Sequence, residues 1–171
     1  MFYCSRGQIN VQVPWGIAGA GTAVVKVVVN ESEGNALTLP VAAADPGIFV
    51  VNSATQTGAV IFQDGQWVTA GRPATTGDVL SLYATGLGMV NPVPPTDGTP
   101  ASGDPLQQTM ETPIVTIDGV ESPVSFSGLT PGLVGLHQVN FAIPDGVAAG
   151  IHDLVISVGG KSSNTVKIIT Q

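Results

Sequence analysis

Short runs of alternating apolar and polar residues dominate the chain, and most runs are bounded by glycine, proline or asparagine. Near the carboxyl end, this alternation places Val139, Phe141 and Ile143 on one side of an extended segment. It predicts three strands there, at about 138–143, 153–158 and 165–169, with glycine-containing turns between them. Upstream, the same pattern predicts further strands at about 47–52, 59–63, 78–85, 114–117 and 124–127.

This density of strands predicts the fold class. About seven or eight short strands in roughly 130 residues favour an all-β, immunoglobulin-like β-sandwich. The 22 glycines and 13 prolines leave no clean helical stretch of useful length. The pattern predicts a core between two sheets, made of Leu80, Leu82, Phe126, Phe141, Ile143, Leu154, Ile156 and Val166.

Residues 88–108 break the alternation. This segment contains five prolines and little periodicity. It is too long for an ordinary connection between strands, so it is predicted to be an excursion on the surface.

Part of the pattern occurs twice. The residues Gln8, Ile9, Asn10, Val13 and Pro14 recur 130 positions later as Gln138, Val139, Asn140, Ile143 and Pro144. After a single-residue gap the spacing is 129, and Asn35 then corresponds to Asn164. A repeat of about 130 residues follows. The chain is therefore expected to hold one complete repeat at 42–171, preceded at 1–41 by the C-terminal half of another, as if cut inside a tandem array.

The first, partial copy raises a packing problem. Its three predicted strands carry one apolar face, made of Ile9, Val11, Val13, Val25, Val27, Val29, Leu37 and Leu39. Three strands cannot bury both sheets of a sandwich by themselves, and their open edges can pair with other strands. Residues 1–41 must either fold back onto the following repeat or take strands from a neighbour, which would build a homopolymer. The sequence leaves both outcomes open.

Charge and cysteine content exclude several classes of function. Twelve acidic residues oppose five scattered basic ones, for a net charge of −7, so nucleic acid is not an expected partner. No apolar run reaches 18 residues, so no membrane span is expected. Cys4 is the single cysteine, which excludes an intramolecular disulfide and is best explained as a small buried hydrophobe.

Catalytic and metal-binding motifs are weak. The two histidines, His137 and His152, accompany no G-x-S-x-G motif, and both are predicted to lie at the surface or at a strand edge. No catalytic residue and no cofactor are assigned. Asp97 and Asp104, in the proline-rich segment, are the best candidates for a calcium ion, although their spacing matches no known calcium loop and no metal site is predicted.

Two tryptophans and two amide pairs are the remaining candidates for binding. Trp15 and Trp67 can stack on sugar rings if they are exposed, whereas Trp15 can instead pack at the junction between repeats. Gln138 and Asn140 share one face of a strand, as do their counterparts in the first copy. Their side chains are expected to face outward and to bond the backbone of adjacent loops.

Several motifs together resemble a known family. The segments GQINVQVPW, DPGIF, GDVLSLYATGLG, FSGLTPGLVGLHQVNFAIP and SSNTVKI are similar to an uncharacterised C-terminal domain family of large secreted Acidobacteria proteins, such as those of Solibacter. Parts of the chain also resemble immunoglobulin-like modules of the IPT/TIG type. One departure is Cys4-Ser5-Arg6, where the family has an aliphatic residue, Ser and Pro.

The resemblance implies a location and a role. It implies an extracellular or cell-surface, non-catalytic module that spaces or displays other domains of its parent chain, or mediates adhesion. The alternatives are a carbohydrate-binding module that uses an exposed tryptophan and a subunit of a homopolymer assembled by strand complementation. The corresponding partners are other domains of the parent chain, polysaccharide and identical subunits.

Overall fold

The computed structural model describes residues 3–94 and 96–171. Met1 and Phe2, the start of the predicted first copy, and Pro95, in the predicted surface excursion, lie outside the described residues. The chain divides into two compact units between Ala43 and Ala44. We call residues 3–43 the N-terminal unit and Ala44–Gln171 the complete unit. The boundary predicted from the sequence lies two positions earlier, between residues 41 and 42.

Both units are built from strands, and the helical structure among the described residues is one 3₁₀ turn at Trp15–Ile17. The N-terminal unit contains β1 (Tyr3–Cys4), β2 (Ile9–Asn10), β3 (Thr22–Val29) and β4 (Ser32–Pro40). The first part of the complete unit contains β5 (Gly47–Ile48), β6 (Val50–Asn52), β7 (Thr57–Gly58), β8 (Val60–Phe62), β9 (Val79–Thr85), β10 (Val90–Asn91) and β11 (Gln108–Thr109). The second part contains β12 (Ile114–Ile117), β13 (Val120–Ser122), β14 (Val124–Leu129), β15 (His137–Ala142), β16 (Gly150–Val158), β17 (Lys161–Ser162) and β18 (Val166–Thr170).

The complete unit has the strand order of an immunoglobulin sandwich. One sheet runs β10-β11-β14-β15-β9-β5, and β8 also pairs with β9. The other runs β13-β12-β16-β18-β7-β6, and β17 also pairs with β16. Neighbouring strands are antiparallel except β18 and β7, which pair in parallel. The central strands correspond to the A-B-E-D and A′-G-F-C arrangement of immunoglobulin domains, so the predicted fold class is confirmed.

The core lies between these two sheets. Leu80, Phe141, Leu154 and Ile156 are completely buried, and the three other aliphatic residues predicted for the core, Leu82, Ile143 and Val166, are buried with them. Alternation along each strand places these side chains on the inner face, which explains why the sequence identified them.

Phe126 is the exception, and its prediction as a core residue is wrong. A β-bulge shifts the register of β14 against β15 between Val124 and Phe126. Val124 therefore lies opposite Phe141 and packs on the core, whereas Phe126 lies opposite Asn140 and is half-buried on the outer face. One extra residue in a strand reverses the side to which the following side chains point.

The proline-rich segment 88–108 is anchored rather than free. Its two ends form β10 and β11, which pair with each other and extend the first sheet. The side chains of Val90, Ala101 and Gln107 are buried. The predicted excursion thus extends the edge of the first sheet, and several contacts hold it there.

Candidate functional site

The two copies of the repeat have the same strand register. Six of the seven residue pairs in the hairpin of β3 and β4 recur, 129 positions later, between β16 and the strands β17 and β18. Val25 opposite Leu37, for example, recurs as Leu154 opposite Val166. In this hairpin the structural repeat therefore follows the sequence repeat at every pair but one, Lys26 opposite Ala36.

The turns of the two hairpins match as well. A two-residue turn, Asn30-Glu31, joins β3 to β4, and both residues have positive φ values, 47° and 66°. The corresponding turn, Gly159-Gly160, has φ values of 58° and 74°. Two successive positive φ values are typical of the type I′ turn, whose twist suits a tight hairpin. Glycine adopts this conformation without strain, whereas Glu31 does so at some cost.

The apolar residues of the two copies differ sharply in their exposed fractions. We call the eight apolar residues of the N-terminal unit the half-repeat face; these are Ile9, Val11, Val13, Val25, Val27, Val29, Leu37 and Leu39. Their exposed fractions range from 41% to 65%. Their eight counterparts in the complete unit are between 0% and 4% exposed; these are Val139, Phe141, Ile143, Leu154, Ile156, Val158, Val166 and Ile168. The half-repeat face thus has the composition of a core and the exposure of a surface, a combination that marks interaction sites.

A pair of amide side chains occurs in both copies. The Nε2 of Gln138 donates to the Oδ1 of Asn140 over 2.8 Å, and Gln8 donates to Asn10 in the same way over 2.8 Å. The expectation that these amides bond the backbone of adjacent loops is wrong, because residues two apart on one face of a strand lie within reach of each other. In the complete unit, Asn140 also accepts a hydrogen bond of 2.9 Å from the hydroxyl of Ser81 on β9.

Asn164 links the two sheets of the complete unit. Its Oδ1 accepts from the backbone N–H of Ile48 over 2.8 Å, and its Nδ2 donates to the carbonyl of Ile48 over 3.2 Å. The side chain therefore satisfies both backbone groups of one residue on β5. Its counterpart, Asn35 on β4, is exposed.

The two candidate tryptophans lie in different units and have different exposure. Trp67 is 46% exposed and follows a tight turn in the complete unit. Asp64, in that turn, pairs over 2.8 Å with Arg72, which lies eight residues further along the chain, and the guanidinium of Arg72 lies 3.9 Å from the centre of the Phe62 ring. Trp15 is half-buried in the N-terminal unit. Trp67 is therefore the better placed of the two for contact with a flat ligand.

Hydrogen bonds hold Asp64 in its charged form. The backbone N–H of Gln66 and the Arg72 side chain lower the pKa of Asp64 below its usual value. The turn before Trp67 thus carries a charged carboxylate, which pairs with the guanidinium of Arg72.

The proposed metal candidates do not form a cluster. Asp97 and Asp104 are both exposed. Within residues 3–94 and 96–171, no three His, Cys, Asp or Glu side chains are grouped so that they could hold a metal ion. Cys4 is exposed as well, so its interpretation as a buried hydrophobe is wrong.

His152, on β16, contacts the turn between β12 and β13 through its side chain. Its Nδ1 lies 2.7 Å from the Oδ2 of Asp118, in the turn between β12 and β13, and its Nε2 lies 2.9 Å from the carbonyl of Ala148. Asp118 also accepts from the N–H of Asp153 over 2.7 Å. The hydrogen bond to His152, and then that from Asp153, lower the pKa of Asp118.

His137 is buried, so its prediction as a surface or strand-edge residue is wrong. It is the first residue of β15, points to the same side as Val139 and Phe141, and is only 4% exposed. Neither ring nitrogen makes a hydrogen bond of normal geometry within the described residues, although the backbone of Gly88 lies near enough to act on the ring. Burial lowers the pKa of His137 to about 4, although the backbone of Gly88 acts in the opposite direction.

Comparison of the chain with protein-family models, with curated proteins and with solved structures finds no match in any of the three. Among the described residues, no helix has the length and apolar character needed to cross a membrane.

Proposed function

We propose that the chain is a non-catalytic structural module of a larger extracellular or cell-surface protein. In this proposal, sandwich units follow one another in tandem, and they space or display the other domains of the parent chain or mediate adhesion. The observation that carries the proposal is the repeated hairpin, because two copies with one register are typical of a tandem array. The resemblance to Acidobacteria C-terminal domains and to IPT/TIG modules supports the location.

A spacer must lengthen by a constant amount with each unit, and this property can be measured. We expect chains with one, two and three successive copies of residues 42–171 to increase in maximum dimension by roughly 35–40 Å per copy, the diameter of a compact domain of this size. Small-angle X-ray scattering provides the measurement. A matched control replaces the added copies with Gly/Ser segments of equal length, whose dimension grows only as the square root of length. A maximum dimension that stops increasing after the first copy would contradict the spacer role.

A carbohydrate-binding role is the second candidate, and the exposure of Trp67 favours it. If the role is correct, soluble polysaccharide will change the tryptophan fluorescence of the chain, since sugar rings stack on exposed indole rings. Trp67→Ala should then abolish binding in a pull-down on the same polysaccharide, whereas Trp15→Ala should retain it. If no polysaccharide alters the fluorescence, the carbohydrate-binding proposal fails and the spacer proposal is unaffected.

A further inference from the structure

We propose that residues 3–40 are a docking surface for a front half of the same repeat, which completes a second sandwich. We call residues 44–130 the front half of the complete unit and residues 131–171 its back half. The N-terminal unit corresponds to the back half. The proposed occupant is a segment with the strands of residues 44–130 that lies before residues 3–40 along the same polypeptide, in the order seen in the complete unit.

The apolar part of the surface fits such an occupant. In the complete unit, the counterparts of the half-repeat face share one core with front-half residues such as Leu80, Leu82, Val115 and Ile117, all completely buried. These residues lie on β9 and β12, which pair with β15 and β16 of the back half. A front half therefore supplies strands that pair with the edges of a back half. It also supplies apolar side chains on the inner faces of both sheets.

Two polar features set the register of docking. The Gln8–Asn10 pair is the counterpart of Gln138–Asn140, in which Asn140 accepts a hydrogen bond from the hydroxyl of Ser81. Asn35 reproduces Asn164, which bonds both backbone groups of Ile48. Hydrogen bonds of this kind add specificity to a contact whose energy comes from apolar burial. Apolar residues and polar partners of the N-terminal unit thus point to the same missing segment.

A second copy of the chain is a poor occupant because the halves do not balance. Residues 3–171 hold two back halves and one front half. That front half is already paired with its own back half through β9–β15 and β12–β16. Any exchange of strands between identical chains would therefore leave one back half uncovered. A strand-complemented homopolymer of these residues has the same deficit in every subunit.

The test extends the full chain at its N-terminus with a second copy of residues 44–130. Because the repeat spacing is 130, residue 1 then takes the place of residue 131. The measurement is hydrogen–deuterium exchange of the backbone amides of β3 and β4, with those of β16 and β18 as an internal standard. An isolated two-stranded hairpin is marginal in water, so its amides exchange rapidly in the unextended chain. We expect the extension to slow their exchange by about 100-fold or more, toward the values of β16 and β18.

Two variants make the test specific. Val25→Asp places a charge on the half-repeat face; it should abolish the added protection in the extended chain and leave exchange in the unextended chain unchanged. Asn35→Ala removes only the proposed contact with backbone and should reduce the added protection by about tenfold. If β16 and β18 remain protected in each variant, loss of protection in β3 and β4 is local and is not caused by general unfolding.

Three results would overturn the proposal. The first is exchange in β3 and β4 that the extension leaves unchanged. The second is strong protection of these strands in the unextended monomer, which would show that they pack on residues 44–171. The third is protection in the unextended chain that rises with concentration together with its mass, which would identify a second copy as the occupant.

Discussion

Replacing Phe141 with alanine is expected to lower the free energy of unfolding of the complete unit by about 3–5 kcal/mol. Phe141 lies on β15, is completely buried and belongs to the core between the two sheets. Its removal loses apolar burial and leaves a cavity that the neighbouring strands can close only in part. Denaturant unfolding followed by circular dichroism measures the change.

Phe49→Ala is the matched control, because it deletes the same atoms from an exposed phenylalanine of the same unit. It should cost less than about 1 kcal/mol. An equal loss of stability in both variants would contradict the assignment of Phe141 to the core, and so would an unchanged denaturation midpoint for Phe141→Ala.

Acidification is expected to destabilise the complete unit between about pH 6.5 and pH 4 through His137. Burial lowers the pKa of this histidine from 6.5 to about 4 in the folded state. The stability that depends on neutral His137 is therefore fully present above pH 6.5. It is lost at lower pH, because His137 then binds a proton in the unfolded chain but not in the folded chain. The part of this loss caused by His137 should reach about 3 kcal/mol at pH 4 and should level off below about pH 3.

The contribution of His137 is isolated by a variant that does not titrate. In His137→Leu, the slope of unfolding free energy against pH over this window should become nearly flat, whatever the absolute stability of the variant. His152→Leu is the matched control and should retain the slope, since it removes the other histidine and leaves His137 in place. The same slope in the chain and in His137→Leu would show that other groups cause the acid sensitivity.

The alternation of apolar residues was sufficient to predict the fold class and most of the core. It failed at Phe126 because a bulge is a local event that adds one residue without changing the residue types around it. It failed at His137 for another reason. This residue is in phase with Val139 and Phe141, so its position predicts burial, but its polarity suggested a place at the surface.

The candidate docking surface could be predicted only in part. The repeat and the apolar residues of the half-repeat face are visible in the sequence. The role of Asn164, and hence of Asn35, is not, because its bonds join residues 116 positions apart. Such contacts depend on how the two sheets are stacked, which local patterns do not encode. The hydrogen bond within each Gln–Asn pair is local, yet residue types along a strand do not reveal whether an amide side chain bonds its neighbour on the same face or the backbone of a loop.

The parallel pairing of β18 has a mechanical consequence. The backbone N–H of Lys167 on β18 donates to the carbonyl of Gln56, beside β7. A second bond, from the N–H of Ala74 to the carbonyl of Ile169, joins β18 to the segment between β8 and β9. Because β7 lies toward the amino end of the complete unit and β18 at its carboxyl end, tension between the two ends shears these strands along each other. Hydrogen bonds loaded in shear share the force and break together, whereas those of an antiparallel hairpin such as β3–β4, pulled at its open end, break one after another. A tandem array of complete units would hold its length under load, and an uncovered half-repeat would be the first part to yield.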